Sequence, residues 1–360
     1  MALEQKARPL VAWNHHRFQA AKAQDLEAIG LKMRHDLRVP EPSFNILLCP
    51  ILVRDMPATD HRLTSREMTD FVADGCLVLE GLIPEDINRR VVDEMKRIFQ
   101  AKIARIVGQP DPLDVPPQPD TLEPLSACYA PPSVIGEYLR LPQVEGVITS
   151  LVGPDPLFDH DFVHFLPAGS EYGQHLHVDA IVDSRDPSFD VQIFYFPREV
   201  RPGEGGTRYV PGSHLRFVRA EGVSRYQHVV GERQFAGPAG TLLVAHHGLW
   251  HCGLPNPSSA DRWMHKIRLN PTRPQVRLWN TDDLDEIHNG PADHTFANAP
   301  STSAAARFRT MLPWQQGHEA RLEQVARARL WRYLTGDRSF DVDYYLTRLE
   351  NRGRLIENED

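Results

Sequence analysis

The fold of this chain is most restricted by a series of short strand-like segments between residues 157 and 280. Each segment is rich in β-branched or aromatic residues and is bounded by glycine or proline turns. The segments are 162–166, 190–196, 207–210, 240–245 and 263–269. Several short strands at this spacing are typical of a β-sandwich or a barrel. The 30 prolines agree with this, because each proline removes a backbone donor that a helical bundle would need.

Helical patterns precede these strands. Residues 64–67 read Thr-Ser-Arg-Glu, a capping box that predicts a short helix ending at Gly75. A buried strand is expected at 76–79. A second helix should begin near Pro84, where a missing N–H costs nothing.

Two further helical stretches are predicted, at 134–151 and near 322–333. The order of these patterns divides the chain into three regions. We expect an N-terminal arm at 1–60, a main domain at 61–285 and a C-terminal helical extension at 286–360.

Composition restricts the partners and the location. The net charge of −8 argues against a nucleic acid or an anionic membrane as the main partner and favours a small molecule. Four scattered cysteines without CxxC spacing favour reduced thiols. The longest apolar run, 46–53, is broken by Pro50 and is too short to span a bilayer. No signal-peptide pattern is present, so a cytoplasmic protein is expected.

The candidate chemistry centres on His177 and Asp179, which are two residues apart, and on His251 further along. On a strand, the first two side chains would share one face. Two histidines and one carboxylate suit non-haem Fe(II), because they leave positions open for a co-substrate and oxygen. Among 17 histidines, a His two residues before an Asp is expected by chance about once, so the pair needs support from its surroundings.

The surroundings resemble the phytanoyl-CoA dioxygenase family. The matching segments are a helix, Asp-Gly and strand at 63–82, Gly-Gly-Thr and Tyr-Val-Pro-Gly-Ser-His within 205–214, and Gly-Thr-Leu-Leu-Val leading to Trp-His within 240–251. The resemblance covers about residues 62–275. It implies an α+β fold with a mainly β core, in which a double-stranded β-helix (a jelly-roll, cupin-like barrel) is flanked by helices.

The resemblance also implies roles for single residues. His177, Asp179 and His251 would be the iron ligands. Arg262, eleven residues after His251, would bind the distal carboxylate of 2-oxoglutarate, and a guanidinium suits this role because its planar fork meets a carboxylate at two points. Arg268 has the same strand parity and is the alternative anchor.

One position departs from the family pattern. Gly253 stands two residues after the distal histidine, where many relatives have a hydroxyl that helps to hold 2-oxoglutarate. His164 and Gln192 are the candidates to supply the missing hydrogen bond.

The function implied is that of an Fe(II)- and 2-oxoglutarate-dependent oxygenase, which uses O2 and releases succinate and CO2. Its substrate would be a small molecule, such as a secondary metabolite, hydroxylated at an unactivated carbon. Asp179 favours hydroxylation, because related halogenases lack this carboxylate. A non-catalytic binding protein of the same fold and a zinc hydrolase are the alternatives.

Other polar residues have structural interpretations. His175 would complete a metallo-β-lactamase-like or cupin-like motif only with a histidine at the position of Ala180 or a glutamate at 181–182, so it is interpreted as a neighbour of the site. The remaining candidates are His214, His246 and His247, interpreted mainly as structural, and Arg198, Arg201, Arg208 and Arg216, interpreted as a solvated rim.

Overall fold

The computed structural model describes residues 60–110, 115–179, 186–216, 218, 220–289 and 303–342. Nearly all of the predicted N-terminal arm therefore lies outside the described residues. The chain divides into two compact units, which are Met1–Ile46 with Lys96–Val115, and Leu47–Met95 with Pro116–Asp360. Every strand described below belongs to the second unit.

Eight strands occur within the described residues. In chain order they are β1 (Cys76–Leu79), β2 (Leu157–Leu166), β3 (Val191–Phe196), β4 (Thr207–Tyr209), β5 (Arg233–Gln234), β6 (Thr241–His246), β7 (His251–Gly253) and β8 (Arg262–Asn270). They form a five-stranded sheet in the order β1-β6-β3-β8-β2 and a three-stranded sheet in the order β5-β4-β7. All pairs are antiparallel.

Eight α-helices occur in the same described ranges. In chain order they are α1 (Ser65–Asp74), α2 (Glu85–Ile106), α3 (Val134–Leu139), α4 (Pro142–Val152), α5 (Ala220–Val223), α6 (Leu284–Asn289), α7 (Ala304–Arg309) and α8 (Gly317–Thr335). Short 3-10 turns occupy Leu125–Ala127 and Ser213–Leu215. The mixture of helices with antiparallel sheets confirms the predicted fold at this level.

Helix α1 begins and ends as its sequence predicts. Both hydrogen bonds of the capping box are present. The backbone N–H of Glu67 donates to the side chain of Thr64, and the backbone N–H of Thr64 donates to the side chain of Glu67. Gly75 ends the helix in the left-handed region, with φ of 76°. Strand β1 follows directly at the predicted residues.

The helical stretch predicted at 134–151 is confirmed, and the structure divides it into two helices, α3 and α4. Pro142 begins α4, and the preceding Leu141 is extended, with φ of −63° and ψ of 133°. A residue before proline is disfavoured in the α conformation, so α3 has to end before this point.

The two sheets pack against each other through a shared apolar cluster. Its buried members come from both sheets and the loops between them, and include Phe194, Phe196, Leu243 and Met264 with Tyr209 and Phe235. The opposite face of the five-stranded sheet packs on helices: Tyr138 of α3 contacts His265 through its hydroxyl, at 2.6 Å from Nδ1. The five-stranded sheet therefore buries both faces, and only one of them faces the second sheet.

The C-terminal helices pack on α1. Arg307 of α7 lies 2.7 Å from Asp70 and 2.9 Å from Asp74. Arg327 of α8 is buried and donates to the carbonyl oxygen of Phe308 at 2.9 Å. No helix in the described ranges combines the length and the apolar character needed to cross a bilayer.

Candidate metal centre

Three side chains with metal-binding donors meet at β7: His177, Asp179 and His251. Their candidate ligand atoms all lie within 4.8 Å of one another. Nε2 of His177 is 3.5 Å from Oδ1 of Asp179, and Nε2 of His251 is 3.4 Å from Oδ2 of the same carboxylate. Two imidazoles and one carboxylate in this arrangement can hold one metal ion and leave positions for other ligands. The structure therefore brings together the three residues that the sequence singles out.

A backbone bridge aligns the two histidines. The N–H of His177 donates to the carbonyl of His251, and the N–H of His251 donates back, both at 3.0 Å. His177 is not part of a longer strand, and Asp179 lies in a bend. Local bending of the chain after this bridge, rather than strand periodicity, brings the carboxylate to the histidines.

Both imidazoles are held in the tautomer that metal binding requires. Nδ1 of His177 is 2.9 Å from the carbonyl oxygen of His175, and Nδ1 of His251 is 2.9 Å from that of Leu249. A carbonyl oxygen only accepts, so each Nδ1 carries the hydrogen and each Nε2 keeps its lone pair. Burial lowers the pKa of His251 to about 3, although Asp179 acts to raise it. The imidazole is therefore neutral at physiological pH, as a ligand must be.

Asp179 has a cationic partner that the sequence analysis missed. Nζ of Lys266 donates a hydrogen bond to Oδ2 of Asp179. Burial acts to raise the pKa of Asp179, but its interactions with His177, His251 and Lys266 outweigh burial, and the pKa lies well below its ordinary value. The available signal was strand parity, because Lys266 stands four residues after Arg262 on the same face of β8.

Arg262 is a largely buried guanidinium with no carboxylate partner among the described residues. Its Nε is buried without a hydrogen-bond partner there, and Nη1 is 3.6 Å from the sulfur of Met264. Burial lowers the pKa of Arg262 to about 10, so the group stays charged. The alternative anchor, Arg268, lies 2.5 Å from Asp190 and 3.7 Å from Asp159. Arg262 is therefore the better placed of the two to take an external carboxylate.

The strand register separates the two candidates for the missing hydrogen bond. His164 of β2 lies opposite Met264, and Met264 is the next residue after Arg262 on the same face of β8. Gln192 of β3 lies opposite Arg268, six residues from Arg262 along β8, which corresponds to about 20 Å. Both side-chain amide atoms of Gln192 are buried and have no hydrogen-bond partner within the described parts of the chain.

The other histidines are not brought into the triad. His246 stacks on Phe189, with ring centroids 5.1 Å apart, and on His247 at 4.5 Å. His214 packs on His246 at 5.0 Å, so these three form a separate buried cluster. His175 is exposed and contributes only its carbonyl oxygen to the site.

The predicted rim of solvated arginines is wrong for two of its members. Arg208 is buried and lies 3.6 Å from Glu232. Arg216 lies 2.9 Å from the buried carboxylate of Glu323. Arg201 is solvated as predicted, with 68% of its side chain exposed. Partners from distant parts of the chain explain the difference, and composition alone does not reveal them.

Comparison with known proteins gives a family and several distant structural likenesses. The model of the family "Phytanoyl-CoA dioxygenase (PhyH)" matches residues 71–264, more than half of the chain. No curated protein matches the chain.

Three solved structures illustrate the likeness. AviO1 from Streptomyces viridochromogenes Tue57 is 17% identical over 57% of this chain and 95% of its own, with a TM-score of 0.44. HygX from Streptomyces hygroscopicus, with nickel and 2-oxoglutarate bound, is 15% identical over 62% of this chain and 91% of its own, with a TM-score of 0.42. EctD from S. alaskensis, with 2-oxoglutarate and 5-hydroxyectoine, is 17% identical over 62% and 81%, with a TM-score of 0.40.

Proposed function

Because this chain belongs to the phytanoyl-CoA dioxygenase family, we propose that it is an Fe(II)- and 2-oxoglutarate-dependent oxygenase that hydroxylates an unactivated carbon of a small molecule. The observation that carries the proposal is the convergence of His177, Asp179 and His251. Family and triad together support the predicted cofactor, Fe(II), and the predicted co-substrates, 2-oxoglutarate and O2. The presence of Asp179 supports hydroxylation as the outcome.

His177, Asp179 and His251 would hold the iron. Bound iron would allow O2 to act as the oxidant, with two electrons supplied by 2-oxoglutarate, which would leave as succinate and CO2. The protein's own contribution is preorganisation: two carbonyl oxygens fix the imidazole tautomers, and the mutual backbone bridge fixes the spacing of the two histidines. The three ligands need little rearrangement to accept a metal.

Arg262 would bind the distal carboxylate of 2-oxoglutarate. A buried charge without a counter-charge is costly, so a guanidinium in this position fits a site that receives an anion. Lys266, which contacts the triad, stands four residues further along β8, at a distance of about 13 Å between Cα atoms. A short dicarboxylate together with the long arginine side chain can span this separation.

The register supports His164 rather than Gln192 as the second group near 2-oxoglutarate. His164 lies between the levels of Arg262 and Lys266 on the shared face, whereas Gln192 lies beyond Lys266. We therefore propose that the side-chain amide of Gln192, which has no hydrogen-bond partner among the described residues, faces the substrate. An amide that both donates and accepts would suit a polar substituent on that substrate.

We further propose that the two packed sheets are the halves of a double-stranded β-helix. Residues 61–285 would form the oxygenase domain, with 1–60 and 286–360 as additions to it. A cytoplasmic location and a small-molecule partner, without nucleic acid or membrane, stay predictions from composition.

The test is anaerobic addition of Fe(II) and 2-oxoglutarate, followed by visible spectroscopy. We expect the charge-transfer band of the iron–2-oxoglutarate chelate in the wild type, and its loss in His177→Ala and Asp179→Ala. His175→Ala is the matched control, because its exposed side chain makes no contact that the proposal uses.

Three outcomes would contradict the proposal. A folded wild-type protein that gives no band would favour a non-catalytic binding protein. Succinate release at the wild-type rate by Asp179→Ala in air would rule out the ligand assignment. Activity that needs zinc and ignores oxygen and 2-oxoglutarate would instead indicate a hydrolase.

A further inference from the structure

We propose that Lys266 is a positioning residue that keeps Asp179 a one-oxygen ligand, and so keeps a coordination position open for 2-oxoglutarate. This inference rests on the proposed function. It concerns a contact between the triad and a charged residue that the family resemblance does not explain. The contact is the hydrogen bond from Nζ of Lys266 to Oδ2 of Asp179.

Lys266 is enclosed, and its place is fixed by packing. Only 8% of its side chain is exposed to solvent, and Nζ lies 5.2 Å from the centroid of the Phe194 ring. The same ring meets His251 edge-on, with centroids 5.2 Å apart. Phe194 therefore packs against both the ammonium group and a candidate ligand, and Asp179 supplies the negative charge that a buried ammonium needs.

The two oxygens of Asp179 have different surroundings. Oδ2 accepts from Lys266 and also lies 3.4 Å from Nε2 of His251. Oδ1 lies 3.5 Å from Nε2 of His177 and has no lysine or arginine donor among the described residues. A metal ion that shared Oδ2 would have to approach the ammonium group, and the two cations repel each other. Oδ1 is the oxygen left for the metal.

The number of carboxylate oxygens on the metal decides how many positions remain. A facial triad with three single donors leaves three positions, enough for a two-point chelate and oxygen. If Asp179 bound through both oxygens, it would occupy one of them. Removing the ammonium from Oδ2 should therefore weaken 2-oxoglutarate binding without removing the metal.

The experiment measures metal and 2-oxoglutarate binding separately in the full chain. Lys266→Met is compared with Lys266→Arg, which restores a cation and donors. Ni(II) affinity is measured first, and 2-oxoglutarate is then titrated anaerobically into the Fe(II)-loaded protein. We expect Lys266→Met to bind Ni(II) within about threefold of the wild type but to need at least about tenfold more 2-oxoglutarate for half of the chelate band. The Co(II)-loaded variant, without 2-oxoglutarate, should also differ from wild type in its visible ligand-field spectrum.

Rescue by Lys266→Arg would support the proposal further. Arg268→Met serves as the matched control, because it removes another cation from the same face of β8 that pairs with Asp190 and does not contact the triad. It should leave the 2-oxoglutarate titration unchanged. Circular dichroism shows, independently of metal binding, whether each variant is folded.

Three results would overturn the inference. An unchanged titration and an unchanged Co(II) spectrum in Lys266→Met would mean that the ion pair has no role in denticity. Parallel loss of Ni(II) and 2-oxoglutarate affinity would mean that Lys266 orients Asp179 for the metal as such. If the wild type itself gives no chelate band, the proposed function fails and the inference fails with it. Either of the first two results would overturn the inference and leave the proposed function standing.

Discussion

His214 and His246 should make this protein lose stability as the pH falls below neutrality. Both imidazoles are buried, with 4% of each residue exposed, and their ring centroids are 5.0 Å apart. Burial lowers the pKa of His214 to about 3, and the charges of Arg327 and His247 act in the same direction. Burial also lowers the pKa of His246 well below its ordinary value.

The size of the effect follows from the pKa of His214. In the unfolded chain a histidine takes up a proton near pH 6.5, whereas folded His214 stays neutral down to about pH 3. Between these values the unfolded state binds more protons, so the free energy of unfolding falls with pH by about 1.4 kcal/mol per unit. From pH 8 to pH 5, His214 alone should remove about 2 kcal/mol. His246 adds to this loss, which is large against a total of about 5–15 kcal/mol.

The assay is urea unfolding at several pH values between 8 and 5, followed by circular dichroism. We expect His214→Leu and His246→Leu to lower stability near neutral pH but to reduce its slope with pH, because each removes one group that titrates on unfolding. His228→Gln is the control, since 63% of that side chain is exposed. The carboxylates with lowered pKa values lose their contribution only below about pH 4, outside this window. Leucine variants that keep the wild-type slope would refute the reasoning.

Three further predictions concern binding and stability. Arg262→Met should raise the 2-oxoglutarate concentration for half of the chelate band by about 10- to 100-fold, because a charge-assisted pair is lost; an unchanged titration would exclude this anchor. His164→Leu should also weaken 2-oxoglutarate binding, whereas Gln192→Leu should not, and the reverse order in the same titration would contradict the register argument. In urea unfolding, Gly75→Ala should lower the free energy of unfolding by more than Gly81→Ala. Both glycines have positive φ, which costs alanine about 1 kcal/mol. A Cβ at Gly75 would also lie 2.3 Å from Nδ1 of His214, whereas a Cβ at Gly81 would meet nothing within 4 Å. Equal losses would contradict it.

Local rules in the sequence predicted the first elements and the family well. The capping box at 64–67, the helix end at Gly75 and strand β1 depend on residues a few positions apart, so the sequence contains all of their determinants. The predicted family is confirmed by the match over 71–264. The metal roles of the triad stay predictions, although the three side chains do come together.

Features that depend on distant contacts were not predictable in the same way. The ion pair between Lys266 and Asp179 joins residues 87 positions apart, and it forms because the fold brings the bend at Asp179 against strand β8. Arg208 and Arg216 look like surface residues in the sequence, yet each pairs with a carboxylate that is largely removed from solvent. The break in the helical stretch at Pro142 follows instead from a local rule, because the residue before a proline is disfavoured in the α conformation.

With the proposed ligands, the mutual backbone bridge between His177 and His251 would tie metal occupancy to a single closing event. These residues are 74 positions apart, and the two hydrogen bonds that join them also set the distance between their imidazoles. If the bridge opened, the two nitrogen donors would separate, and a metal held by the proposed triad would lose its two-histidine geometry in one step. Release should therefore be cooperative, and bound metal should slow hydrogen exchange at both amides, because ions that bind only the closed form stabilise it by mass action.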